Sequence, residues 1–140
     1  MKAYCCVTGL MGLMYLSGRI DAADAFNMKL IKEAAELYKK YRRNIASSVP
    51  VYPTGTFDID SDGTDSFGLN DASSRTLMTA VWNNSDAPSS KTLELSKYIP
   101  GGKIADCFPR IDGYSSSLDG TRLSVTLPRG KSALYTVIKY

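Results

Sequence analysis

Ala35-Glu36-Leu37-Tyr38-Lys39-Lys40-Tyr41-Arg42-Arg43-Asn44-Ile45-Ala46-Ser47-Ser48-Val49-Pro50-Val51-Tyr52-Pro53-Thr54-Gly55 holds the change of pattern that decides the fold. Its first half continues a helical period; its second half, from Pro50, opens a run of short strand patterns separated by turns. Upstream, Phe26, Leu30, Ala34, Leu37 and Tyr41 recur at spacings of four and three, and Met28, Ile31, Ala35 and Tyr38 widen the stripe. Lys29, Lys32, Glu33, Glu36, Lys39 and Lys40 fall between them, which predicts one long amphipathic helix with a single apolar face. Asp21 is the expected N-cap, with Asp24 as the acid three residues on. Lys39, Lys40, Arg42 and Arg43 are expected in the closing turns, where cations suit the negative end of the helix dipole.

Downstream, the candidate strands are Val51–Phe57, Asp65–Asn70, Arg75–Asn83, Lys91–Leu95, Lys103–Phe108, Thr121–Leu127 and Ala133–Lys139. Leu77, Thr79 and Val81 oppose Met78, Ala80 and Trp82, and Leu123, Val125 and Leu127 alternate with Arg122, Ser124 and Thr126. Turn signals such as Ser61-Asp62-Gly63, Pro100-Gly101-Gly102, Leu118-Asp119-Gly120 and Pro128-Arg129-Gly130 stand between them. The pattern predicts a mainly β chain: an antiparallel β-sandwich of Greek-key type, preceded by a strand or loop and one long helix.

The 140 residues carry 17 Lys/Arg against 14 Asp/Glu, so no basic patch argues for nucleic acid. Residues 1–46 hold eight basic against four acidic side chains, and the excess belongs to the helix. With no His in the chain, Ser-His and Cys-His catalysis is excluded, and no metal cluster or other cofactor is expected of Cys5, Cys6 and Cys107. These three read as reduced thiols of a cytoplasmic protein, with secretion left open. The run from Ala3 to Leu16 has the outline of a signal peptide, but Gly9 and Gly12 interrupt it and no Ala-x-Ala site follows. It is too short to cross a membrane, and the favoured reading is a buried strand with its following loop.

Gly9-Leu10-Met11-Gly12-Leu13-Met14-Tyr15-Leu16-Ser17-Gly18-Arg19-Ile20-Asp21, then Ala35 to Arg42, then Pro50-Val51-Tyr52-Pro53-Thr54-Gly55 resemble the tail of the melibiase-type α-galactosidases, glycoside hydrolases of families 36 and 27. The resemblance implies that residues 1–45 are the last βα portion of an incomplete (β/α)8 catalytic barrel and that 46–140 are the antiparallel C-terminal domain. It implies a parent enzyme that retains anomeric configuration, which needs a nucleophile and an acid/base carboxylate about 5–5.5 Å apart. In the family both are aspartates on earlier barrel strands, the nucleophile within a Lys-x-Asp-like motif, and this chain has neither. Asp21 and Asp24 read as helix-start residues, so no catalytic residue is assigned and the chain alone is expected to be inactive. Its partner would be the catalytic barrel of the parent chain. Residues 5–16 and the apolar helix face would either fold over the sandwich or stay exposed and promote self-association.

Two local features suggest binding. Asp58, Asp60, Asp62 and Gly63 reproduce the opening of a calcium loop, but Leu69 occupies the position of the bidentate Glu, so they are weak metal candidates beside a solvated turn. Among the aromatic residues, Trp82 lies in the most apolar strand and reads as core. Tyr98 and Tyr114 flank Gly-rich turns and are the candidates for contact with a sugar, a galactoside among them. A stand-alone sandwich that binds carbohydrate or protein is the alternative reading, and a calcium-dependent scaffold the third.

Overall fold

The computed structural model describes residues 2–15, 20–55 and 63–140. Two helices, α1 (Lys2–Leu10) and α2 (Ala25–Ser47), precede eight strands: β1 (Val49–Val51), β2 (Thr64–Asp71), β3 (Thr76–Asn83), β4 (Ser89–Glu94), β5 (Lys103–Phe108), β6 (Ser115–Asp119), β7 (Arg122–Leu127) and β8 (Ser132–Lys139). They form two sheets, ordered β1-β2-β3-β8-β5 and β4-β7-β6, and every pairing is antiparallel.

The molecule is built in three layers. Leu77, Val81, Leu134 and Ile138 of the larger sheet meet Leu93, Leu123, Val125 and Leu127 of the smaller one, closing an apolar interior. The opposite face of the larger sheet, with Leu69, Met78, Ala80, Trp82, Phe108, Ala133, Tyr135 and Val137, is covered by the helices. This is why β3 is buried at every position: it is the middle of a sheet covered on both sides. In β7 the expected alternation holds, with Leu123, Val125 and Leu127 inward and Arg122, Ser124 and Thr126 exposed.

Helix α2 buries Leu30, Ala34, Leu37 and Tyr41, as its period requires. Burying each of the two leucines contributes about 1.5–3 kcal/mol, which fixes the helix on the sheet more firmly than helix propensity does. Phe26 departs from the expected stripe and is 54% exposed. The cap is also displaced by one turn. Asp24, rather than Asp21, is the N-cap, its carboxylate accepting from the Asn27 amide at 2.7 Å, while Asp21 sits in a short 3-10 turn, Ile20–Ala22. At the other end α2 runs to Ser47, where Ser48 caps the carbonyl of Ile45 and Pro50 holds Val49 in extended backbone. Lys39, Lys40, Arg42 and Arg43 therefore lie a turn or more before the end, and the last turn carries no basic residue.

The strand expected in the N-terminal run is instead helix α1. Its buried positions are Ala3, Cys6, Val7 and Leu10, a helical period that places one face on β3, β8 and α2. The apolar residues between these positions hide that period, and a short apolar run does not distinguish strand from helix. Adjacent Cys5 and Cys6 still point apart, one exposed and one buried, and all three cysteines are free thiols. The proposed first strand, Val51–Phe57, is realised as Val49–Val51 followed by a turn, with its last two residues outside the described ones.

Candidate functional site

Asp58, Asp60 and Asp62 lie outside the described residues. Among the described residues, no group of three or more His, Cys, Asp and Glu side chains is placed to hold a metal ion. No described helix is long and apolar enough to cross a membrane.

Tyr98 and Tyr114 are not brought together. Tyr98 follows β4 at the Glu94–Arg122 end of the smaller sheet, and Tyr114 precedes β6 at the Leu127 end. Both are half-buried against the interior between the sheets. The Tyr98 hydroxyl donates to the Tyr52 carbonyl at 3.2 Å, whereas the Tyr114 hydroxyl is buried without a hydrogen-bond partner.

The aromatic side chains that do converge lie on the opposite side of the larger sheet. Trp82, Phe67 and Tyr52, together with Thr8 and Met11 of the α1 end, line an open cavity of about 350 Å³. Tyr52 and Phe67 stack at 5.6 Å between ring centres, tilted by 59°. The indole N–H of Trp82 donates to Thr8 Oγ1 at 3.2 Å, which fixes the indole against α1. Trp82 is thus a core residue, as its strand implied, and at its edge also a wall of this groove. A groove with aromatic walls and few polar groups suits an apolar side chain or the C–H face of a ring.

A second recess, of about 190 Å³, is charged. It is lined by Glu33, Glu36, Leu37 and Lys40 of α2 and by Asp106 and Arg110. Asp106, 8% exposed, accepts from Lys40 Nζ at 2.7 Å, from the Tyr41 hydroxyl and from Arg110 Nη2 at 2.9 Å. Arg110 also lies 3.8 Å from Glu33. Burial pushes the Asp106 carboxyl up, but the hydrogen bonds from Lys40 and Tyr41 and the charges of Lys40 and Arg110 outweigh it and hold the group below the usual range. A carboxyl so held is ionised at neutral pH and has no proton to give to a leaving group, the opposite of what a general acid needs.

Asp106 was not singled out by its sequence position, and a β-bulge is the reason. Ile104, Asp106 and Phe108 should share one face, but the register shifts between Ile104 and Asp106. Ile104 therefore packs toward the other sheet, while Asp106 and Phe108 turn toward the helices. The groove carried one legible signal: a strand apolar on both faces requires a second covering layer, and Trp82 is on the face that layer meets.

No protein-family model matches the sequence, and no curated protein matches it. Among solved structures the chain is similar to an alpha-amylase from H. orenii (10% identity, TM-score 0.46), covering 79% of this chain and 20% of that one. It is also similar to the alpha-glucosyl transfer enzyme XgtA, at 15% identity and a TM-score of 0.42 over 81% of this chain and 18% of that one. A third is alpha-L-fucosidase isoenzyme 2 from Paenibacillus thiaminolyticus (14% identity, TM-score 0.35; 82% and 19% covered). The chain thus spans about a fifth of the length of these structures.

Proposed function

We propose that the chain is the C-terminal, non-catalytic part of an α-galactosidase-type glycoside hydrolase, stabilising the catalytic barrel of its parent. The reading rests on the sequence resemblance of residues 9–21, 35–42 and 50–55, and one structural observation carries it further. The segment after α1 and the first turn of α2 present large apolar side chains to solvent beside a sandwich that closes its own interior: Leu13 is 80% and Tyr15 82% exposed, and Phe26 adds a third. Apolar surface of this kind, next to a face already packed, is what a docked neighbouring layer covers. On this reading residues 1–45, which fold as two helices and a short 3-10 turn with no strand among the described residues, are the end of the barrel wall and 46–140 its C-terminal domain, and the reacting carboxylates lie in the parent. Assay of the purified chain with a chromogenic α-galactoside tests it: no turnover is expected, and hydrolysis that a single carboxylate substitution in this chain abolishes would overturn it.

The alternative, a binding module for carbohydrate or protein, is favoured by the groove of Tyr52, Phe67 and Trp82 rather than by Tyr98 or Tyr114. Trp82 is the only tryptophan, so its emission reports on that groove directly. A saturable change with galactosides supports the module; a flat response leaves the barrel-stabilising role.

A further inference from the structure

Among the described residues the buried carboxylates are Asp65, Asp71 and Asp106, and all three stand on the larger sheet. Asp65 and Asp71 share the helix-facing side of β2 with Phe67 and Leu69, and Asp106 faces the helices because of the bulge in β5. The interior between the sheets is lined instead by Leu, Val and Ile, with tyrosines at its margin. Among the described residues the buried carboxylates are therefore confined to one of the two layer boundaries, while Glu94 of β4, which accepts from Thr121 Oγ1 at 2.7 Å, is exposed at the surface of the smaller sheet.

Two of these carboxylates pin α2 at separate points. On β5, Asp106 faces Lys40 and Tyr41 from α2, Arg110 from the following segment and Tyr135 from β8, with Glu33 behind Arg110. On β2, Asp71 accepts from Asn44 of α2 at 2.9 Å and from Ser73 and Ser74 at 2.6 Å each. Asn44 also donates to Ser74 at 2.7 Å, and Lys139 of β8 approaches through Thr76. β2 and β5 lie on either side of β3 and β8, so side chains from neighbouring turns of α2, Lys40 and Tyr41 in one and Asn44 in the next, reach strands on opposite sides of that central pair. The third carboxylate, Asp65, lies near Tyr4 of α1 and accepts the Ser66 amide.

We infer that Asp71 and Asp106 form a two-point acid-labile clamp, whose protonation releases the helical layer from the sheet while the sandwich interior stays closed. Hydrogen bonds from Ser73 and Ser74, helped by Asn44, hold Asp71 well below the usual range, and Asp106 is lowered as well. A carboxylate lowered in the folded state contributes stability that is complete above its unfolded value, near pH 4, and is lost as pH falls toward the folded one. Release therefore begins below about pH 4. It does not depend on the proposed parent enzyme.

The test is an acid titration of the full chain from pH 7 to 2, comparing Trp82 emission and helical circular dichroism with hydrogen-exchange protection in β7. Helix signal and Trp82 environment should change at a higher pH than β7 protection. Asp106→Asn should raise the midpoint of the first step by about half a pH unit or more and leave the second in place. Asn44→Ala, which removes one donor from Asp71, should act in the same direction if the first variant folds poorly, and the exposed Asp86→Asn should leave both steps where they were. Coincident loss of all three signals in the unaltered chain would overturn the proposal. So would a first step that neither Asp106→Asn nor Asn44→Ala moves.

Discussion

Lys40 Nζ lies 2.7 Å from Asp106 Oδ2, joining the helix to an edge strand 66 residues later. The contact crosses from the helical layer to the sheet and sits beside the buried Tyr41 hydroxyl, which shares the same carboxylate. Its partners differ in environment. The Lys40 side chain is largely exposed, while Tyr41 and Asp106 are buried, so loss of the acid should matter more than loss of the base.

Asp106→Ala should therefore destabilise the chain by about 1–3 kcal/mol, because it leaves the Tyr41 hydroxyl buried without its acceptor. Lys40→Met should cost under about 1 kcal/mol, as for other exposed partners of an ion pair. Urea midpoints of the two variants measure the difference, and equal effects would contradict the assignment of Tyr41 as the dependent group.

Tyr41 links stability to alkaline pH. Burial first, then the hydrogen bond and charge of Asp106, push its phenol up to about 12, and burial pushes Tyr135 up as well. An acid raised in the folded state contributes stability that is complete below the unfolded value, near 10, and is lost as pH climbs toward the folded one. Ultraviolet titration should show these two phenols ionising together with unfolding above about pH 10, whereas Tyr41→Phe should flatten the alkaline decline.

Trp82 should report the seating of α1. Thr8→Val removes the hydroxyl that accepts from the indole N–H at 3.2 Å and should cost about 1 kcal/mol with a shift in emission. Trp82→Ala should cost about 3–5 kcal/mol, since it empties part of the helix–sheet core. An unchanged emission spectrum in Thr8→Val would show that the hydrogen bond does not position the ring.

The turn between β7 and β8 admits little change at Gly130. A Cβ there would stand 2.4 Å from the Asp86 carbonyl carbon and 2.5 Å from the Ser85 carbonyl oxygen, both backbone atoms of the turn packed against it. Gly130→Ala should lower stability by about 1–3 kcal/mol in thermal or urea unfolding.

Much of this architecture was readable from residue pattern. The stripe of Leu30, Ala34, Leu37 and Tyr41 gave α2, and the alternation of Leu123, Val125 and Leu127 gave an inward face of the smaller sheet. What escaped has local causes. β6, Ser115–Asp119, is an edge strand of serines with Leu118 as its only large apolar residue, so neither propensity nor alternation marked it. In α1 the interleaved apolar residues hid the period of Ala3, Cys6, Val7 and Leu10. The bulge before Asp106 reversed a face that spacing alone would have assigned to the sandwich, and the groove depends on Tyr52, Phe67 and Trp82 meeting across distant segments.

On the proposed function these residues are the closing, non-catalytic part of a larger hydrolase. Mass spectrometry of the native polypeptide captured by an antibody to the sandwich tests it most directly. A chain much longer than 140 residues is expected, with two aspartate motifs among the peptides that precede these residues. A native species ending at these 140 residues and beginning at Met1 would contradict it.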